Sequence, residues 1–161
     1  MPWILKDNAL APRTSIELSY AGPNPFQSYS ILKEIVEIDL KFKGKDVFED
    51  DFRWDITEDP RPFFVKFRFK IGFDKFSKGW IFTELRGKQP SDPEKNGEVK
   101  ISLSAQLETE YKIDGIKKVL IPLIYLYHLI FYNMQRRKYL NSLKEAISII
   151  EAGLKDRLKL K

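Results

Sequence analysis

The chain has 161 residues with 43% hydrophobic and 32% charged side chains and a net charge of +5, enough length to bury about 70% of the surface its unfolded form exposes around one core. Zero cysteines and a single histidine exclude a disulfide scaffold, a thiolate metal site, cysteine catalysis and multi-histidine metal centres. Nine prolines and eight glycines are no low-complexity signature, so one folded α+β domain over 1–161 is expected, mainly sheet over 13–111 and helical over 116–160.

The opening run Met1-Pro2-Trp3-Ile4-Leu5-Lys6 is short and soon meets charge, unlike a signal peptide, so a cytoplasmic protein is expected. Ser15 to Ala21 reads as a strand with Ile16, Leu18 and Tyr20 on one face, ended by Gly22-Pro23-Asn24-Pro25. A short helix follows, with Asn24 as N-cap and Phe26, Tyr29 and Leu32 at helical spacing. From Val36 the period becomes two, because Val36, Ile38, Leu40 and Phe42 alternate with Glu37, Asp39, Lys41 and Lys43, which predicts a half-buried strand.

After the Gly44-Lys45-Asp46 turn, Phe48, Asp50, Phe52, Trp54 and Ile56 define a strand face. Val65, Phe67, Phe69, Ile71 and Phe73 alternate with Lys66, Arg68, Lys70 and Gly72 in the clearest strand of the chain. With Trp54 opposite Phe67, Asp55 would face Lys66 and Asp51 would face Lys70. A hairpin tip over 74–79 leads to a strand from Trp80 to Lys88, then a loop, then a long strand from Val99 to Tyr111. Pro122 starts or kinks the last helix. A helix from Pro122 to Leu160 would reach roughly 58 Å unbroken, so a bend near Arg136 to Tyr139 or a projecting end is expected. Its first half, Leu123 to Met134, is apolar nearly all round, as a helix enclosed on several sides would be. The apolar run from Val119 to Phe131 is too short to span a membrane.

Strand, short helix, several antiparallel strands and a long C-terminal helix is an order that resembles the helix-grip superfamily of START and polyketide-cyclase-like domains. The resemblance implies an antiparallel sheet of about six strands wrapped on the last helix, and an apolar ligand between the two.

Charge is unevenly placed. Residues 46–60 carry net −6, 61–88 net +6, and 135–161 net +5. The acids Glu49, Asp50, Asp51 and Asp55 lack the oxygen-ligand spacing and turn glycine of a calcium loop. His128 has no second histidine or cysteine to work with and reads as a hydrogen-bonded residue near the core. No catalytic group, metal site or cofactor is expected, and no glycine-rich phosphate loop is present. The basic strand has an acidic neighbour to pair with, a pattern that also suits ion-pair networks of thermophilic proteins.

Cations without such a neighbour are Lys75, Lys78, Arg86, Lys88 and the triplet Arg136, Arg137 and Lys138, which together form the expected RNA- and phosphate-binding set. Leu140, Leu143, Ile147, Ile150 and Leu154 are spaced 3, 4, 3, 4 as a heptad seam, open to packing on the chain's own sheet or on a second copy as a homodimer. The resulting expectation is a non-enzymatic protein that binds structured RNA or a ribosomal subunit and, as a dimer, bridges or caps ribosomal particles. A binder of a small apolar molecule enclosed by sheet and helix is the alternative.

Overall fold

The computed structural model describes residues 2–112 and 119–161. Positions 113–118, which include the first residues of the expected helical region, lie outside the described residues. Six strands form one antiparallel sheet: β1 (Pro2–Asn8), β2 (Ile16–Pro23), β3 (Val47–Trp54), β4 (Arg61–Gly72), β5 (Ser77–Gln89) and β6 (Asn96–Lys112). β3, β4, β5 and β6 pair in sequence order. The long β6 takes two short partners along its free edge, β2 against residues 96–103 and β1 against residues 106–112. Helix α1 (Gln27–Glu34) follows β2. Helices α2 (Ile121–Tyr127) and α3 (Asn133–Leu158) close the chain, joined by a wide π turn over His128–Tyr132.

Strict alternation along β4, β5 and β6 sends every second residue to one face. Val65, Phe67, Phe69, Ile81, Leu85, Ile101, Leu103 and Leu107 are buried there under α1 and α3. Each buried Leu, Ile or Phe contributes about 1.5–3 kcal/mol of hydrophobic stabilisation. From α3, Leu143, Ala146, Ile147, Ile150, Leu154 and Leu158 fill the other side of this core. Leu143, Ile147, Ile150 and Leu154, with Leu140 half-buried beside them, therefore meet the chain's own sheet. The heptad spacing is that of any helix with one apolar stripe, and the expected dimer seam is corrected to an intramolecular one.

The interface is close-packed. A Cβ on Gly79 would come within 2.6 Å of Leu143 Cδ2, and one on Gly153 within 2.8 Å of Ile35 Cδ1. Gly153→Val is accordingly expected to destabilise the fold by about 1–3 kcal/mol through overpacking. Adding Ile35→Val, which removes the methyl that is struck, should recover part of that loss in urea denaturation.

Three expected elements differ. Val36 to Phe42 is not a strand: α1 runs on into a π turn over Ile35–Asp39, closed by the Leu40 amide donating to the Ile35 carbonyl at 3.0 Å. Leu32, Ile35 and Val36 stand at i, i+3 and i+4 and are all buried, and this helical face outweighs the seven-residue alternation from Val36 to Phe42 and leaves Ile38 in solvent. The sixth strand is instead β1, whose Trp3 and Leu5 turn inward while Ile4 and Lys6 turn outward, as their partners in β6 show. Finally, the β3–β4 register places Trp54 opposite Phe63 and Asp51 opposite Lys66, with a bulge at Asp50. The expected Asp55–Lys66 and Asp51–Lys70 pairs therefore do not form.

The last helix passes through the π turn over His128–Tyr132 with helical backbone on both sides of it, and its first half is exposed where an enclosed helix is expected. No helix among the described residues is long and apolar enough to cross a membrane.

Candidate functional site

The outer face of the sheet, away from α3, carries the charge. Register places its side chains in rows across the strands. One row reads Arg53 (β3), Phe64 (β4), Arg86 (β5) and Lys100 (β6). Three cations and one aromatic ring share this row with no carboxylate. The guanidinium carbons of Arg86 and Arg53 lie 5.2 Å and 5.7 Å from the Phe64 ring centroid, so the ring is flanked by two cation–π contacts. The next row toward the β5–β6 loop adds Lys88 opposite Glu98 and Pro62.

These two rows, with Lys66 and Asp55, line an open groove of about 810 Å³. Its electrostatics follow from which cations are already paired. Arg53 binds Asp51 at 2.7 Å and Lys66 reaches Glu84 at 3.6 Å. Among the described residues, no carboxylate lies within 4.0 Å of the charged nitrogens of Arg86, Lys88 or Lys100, all three of which are exposed. The rim is held by two carboxylates. Asp55 accepts from the Thr57 hydroxyl at 2.6 Å and amide at 2.8 Å, which holds its pKa below the ordinary range. Asp59 accepts from the Ser91 hydroxyl at 2.7 Å and amide at 3.0 Å, with the same effect, and so ties the β3–β4 corner to the loop after β5.

The expected phosphate-binding residues do not form one patch. Arg86 and Lys88 are in the groove. Lys75 and Lys78 lie at the opposite end of β5, where Lys78 is bound to Glu108 at 2.9 Å, beside a smaller groove of about 410 Å³ shared with Lys70 and Lys112. Arg137 and Lys138 are exposed on α3. Arg136 is corrected: its side chain is only 12% exposed and is spent on Asp7 and on His128 Nε2 at 3.0 Å. Lys100 and Phe64 were not expected, because only the cross-strand register brings them beside Arg86.

The acids of β3 are likewise committed one by one. Glu49 accepts from the Tyr29 hydroxyl at 2.7 Å, Asp50 from Arg68 at 3.2 Å, and Asp51 pairs with Arg53. No group of three or more His, Asp or Glu among the described residues is placed to hold a metal ion.

A second polar cluster fastens the helices to the sheet near the start of β5. Thr109 and Ser77 hydroxyls are 3.0 Å apart, Ser77 and Tyr132 hydroxyls 2.7 Å, and Tyr132 donates to Asp74 at 2.6 Å. Tyr139 also donates to Asp74, at 2.8 Å. Burial opposes ionisation of Asp74, but these hydroxyls and the Phe76 and Ser77 amides together hold its pKa below the ordinary value. Beside it, His128 is buried with Nδ1 at 2.5 Å from the Tyr111 hydroxyl. Arginine can only donate, so the Arg136 contact makes His128 Nε2 the acceptor and Nδ1–H the donor to Tyr111, a neutral imidazole. Burial lowers the His128 pKa and pushes that of Tyr111 up to about 12. These bonds tie the 128–132 turn and the start of α3 to the sheet, which describes an anchor.

No family model and no curated protein matches the chain. Among solved structures it is similar to a Staphylococcus aureus protein of unknown function, with a TM-score of 0.25 and 3% identity over 92% of this chain and 96% of that one. That likeness is too weak to bear on function.

Proposed function

We propose that the chain is a non-catalytic RNA-binding protein that holds a single-stranded stretch of structured RNA, such as a ribosomal loop, on the outer face of its sheet. The observation that carries this reading is the row Arg53, Phe64, Arg86 and Lys100 with Lys88 beside it. Arginine and lysine supply phosphate contacts, and a half-buried ring gives an unstacked base a surface to lie on. The groove is open along the sheet, as a strand of nucleic acid requires. The element order resembles the helix-grip plan, but here the space between sheet and α3 is filled by side chains, Leu143 against Gly79 among them. That packing favours the outer face over an enclosed apolar ligand.

Fluorescence anisotropy with an RNA hairpin carrying a single-stranded loop tests the reading. Affinity should fall steeply with salt, and Arg86→Glu with Lys88→Glu should weaken binding more than about 10-fold and flatten the log–log salt slope by about 2. Phe64→Leu should weaken binding by roughly 1–3 kcal/mol while leaving the slope unchanged. Arg137→Glu with Lys138→Glu, on α3, serves as the control. Equal binding by the wild type and the Arg86/Lys88 variant overturns the site. In sedimentation of native lysate at low salt, a protein found only at the top of the gradient overturns the ribosomal assignment.

A further inference from the structure

Helix α2 and the turn after it use one side to dock and leave the other bare. His128 and Tyr132, four residues apart, are buried against the sheet, Ile124 one turn before them is half-buried, and the Tyr125 ring lies 6.1 Å from that of Trp3. Around the opposite side run Leu123, Leu126, Tyr127, Ile130, Phe131 and Met134, at i, i+3, i+4, i+7, i+8 and i+11. Leu123 is 62% exposed, Ile130 56%, Phe131 66% and Met134 70%. From these fractions and ordinary side-chain areas, Leu123, Leu126, Tyr127, Ile130, Phe131 and Met134 together present roughly 700 Å² of mostly apolar surface. Monomers rarely show more than a few hundred Å² in one patch, and a stable interface takes about 800 Å² from each partner.

The surface also suits one kind of occupant. From Val119 through Met134 the chain has no Asp, Glu, Lys or Arg, so a copy of the same surface meets it without an unpaired charge. Opposite the buried His128 and Tyr132, the π turn carries the pattern at intervals of four, so Leu126, Ile130 and Met134 line the outward side with Leu123, Tyr127 and Phe131 beside them, a surface that the side chains of a second helix can pack between. We propose that this stripe, and not the Leu140 to Leu154 face of α3, is where a second copy of the chain docks, as a closed two-fold dimer with the helices antiparallel. The antiparallel sense follows from charge: Arg137 and Lys138 are exposed just beyond the stripe, and a parallel pair would crowd four cations together. A bilayer surface fits less well, because the side of this helix opposite the stripe is docked on protein instead of being charged and solvated.

The proposal is independent of the RNA reading, since Tyr132 anchors this region to Ser77 at the start of β5, about 36 Å along the strand from Lys88 near its end. Sedimentation velocity and light scattering on the full chain should give twice 19.0 kDa. Ile130→Glu, at an exposed position, should raise the dimer dissociation constant about 100-fold or more with an unchanged thermal melt. The chain has no cysteine, so a single Ile130→Cys, near the two-fold axis, should link dimers on mild oxidation, whereas Lys138→Cys should not. Linking at 138 in place of 130 overturns the antiparallel arrangement. A wild type monomeric at about 200 µM overturns the dimer, and flotation of that monomer with phosphatidylglycerol vesicles would assign the stripe to a lipid surface instead.

Discussion

Ile147→Asp is expected to unfold the chain. Ile147 is almost wholly buried between Leu143 and Ile150 of α3 and the inner face of the sheet. The substitution removes a large aliphatic side chain, at a cost of about 2–5 kcal/mol when truncated, and puts in its place a carboxyl that has no partner to bind and must be neutralised or dragged to water. Against a total stability of about 5–15 kcal/mol, the sum leaves little or no folded protein at 37 °C. Ile147→Val, which keeps the shape, should cost only about 0.5–1.5 kcal/mol, or a few degrees of Tm at about 2–4 °C per kcal/mol. Circular dichroism melts of the two variants check this. If Ile147→Asp melts within a few degrees of the wild type and merely changes the mass of the particle, the face is intermolecular and the packing described above is wrong.

That face shows why spacing alone leaves a question open. A stripe at 3, 4, 3, 4 is what a helix needs against a sheet and equally what it needs against a second helix, and only the neighbours decide. β4, β5 and β6 were readable because each alternates over many residues with the ring or aliphatic chain always on one side. Val36 to Phe42 alternates too, but over a stretch short enough for the helical set Leu32, Ile35 and Val36 to prevail. The strand count still comes to six because β1, seven residues at the N-terminus, replaces the strand that is absent.

The same limit governs the sites. A bulge at Asp50 shifts β3, so pairing charges by eye misplaces Asp51, and the row of Arg53, Phe64, Arg86 and Lys100 is invisible without the register. Three consecutive cations on α3 look alike in sequence, but steps of 100° point Arg136 at the sheet edge, where Asp7 on the unexpected strand receives it. The apolar residues of α2 were legible as apolar. Their surroundings were not, since a helix that is hydrophobic all round reads as enclosed whether its second wall is its own chain or another molecule.

Acidification between about pH 7 and 5 is expected to loosen the start of α3, through His128. As a neutral ring it donates from Nδ1 to Tyr111 and accepts from Arg136 at Nε2. Once protonated, both nitrogens are donors, and Nε2–H points at a guanidinium. The facing groups offer little compensation: Tyr111 stays protonated with its pKa pushed up to about 12, Asp7 is already bound to Arg136, and Asp74 is taken by Tyr132 and Tyr139. Burial holds the folded-state pKa of His128 below its ordinary value, so the folded chain takes up its proton later than the unfolded one. Its contribution is therefore complete above the unfolded pKa of about 6.5, declines as the pH falls below that value, and has gone once the folded pKa is passed. Asp74, also lowered, protects stability above about pH 4 and is lost only below it, so the two windows separate. The readout is Trp3, whose ring stacks on Tyr111 at 5.6 Å and lies 6.4 Å from His128, followed by fluorescence in a chain carrying Trp54→Phe and Trp80→Phe. A loss of several degrees in Tm and a shift in Trp3 emission are expected between pH 7 and 5. Both should flatten in His128→Gln, whose amide can donate to Tyr111 and accept from Arg136 without titrating. If that variant follows the wild-type profile over this range, another group carries the acid sensitivity and the anchor at His128 does not switch.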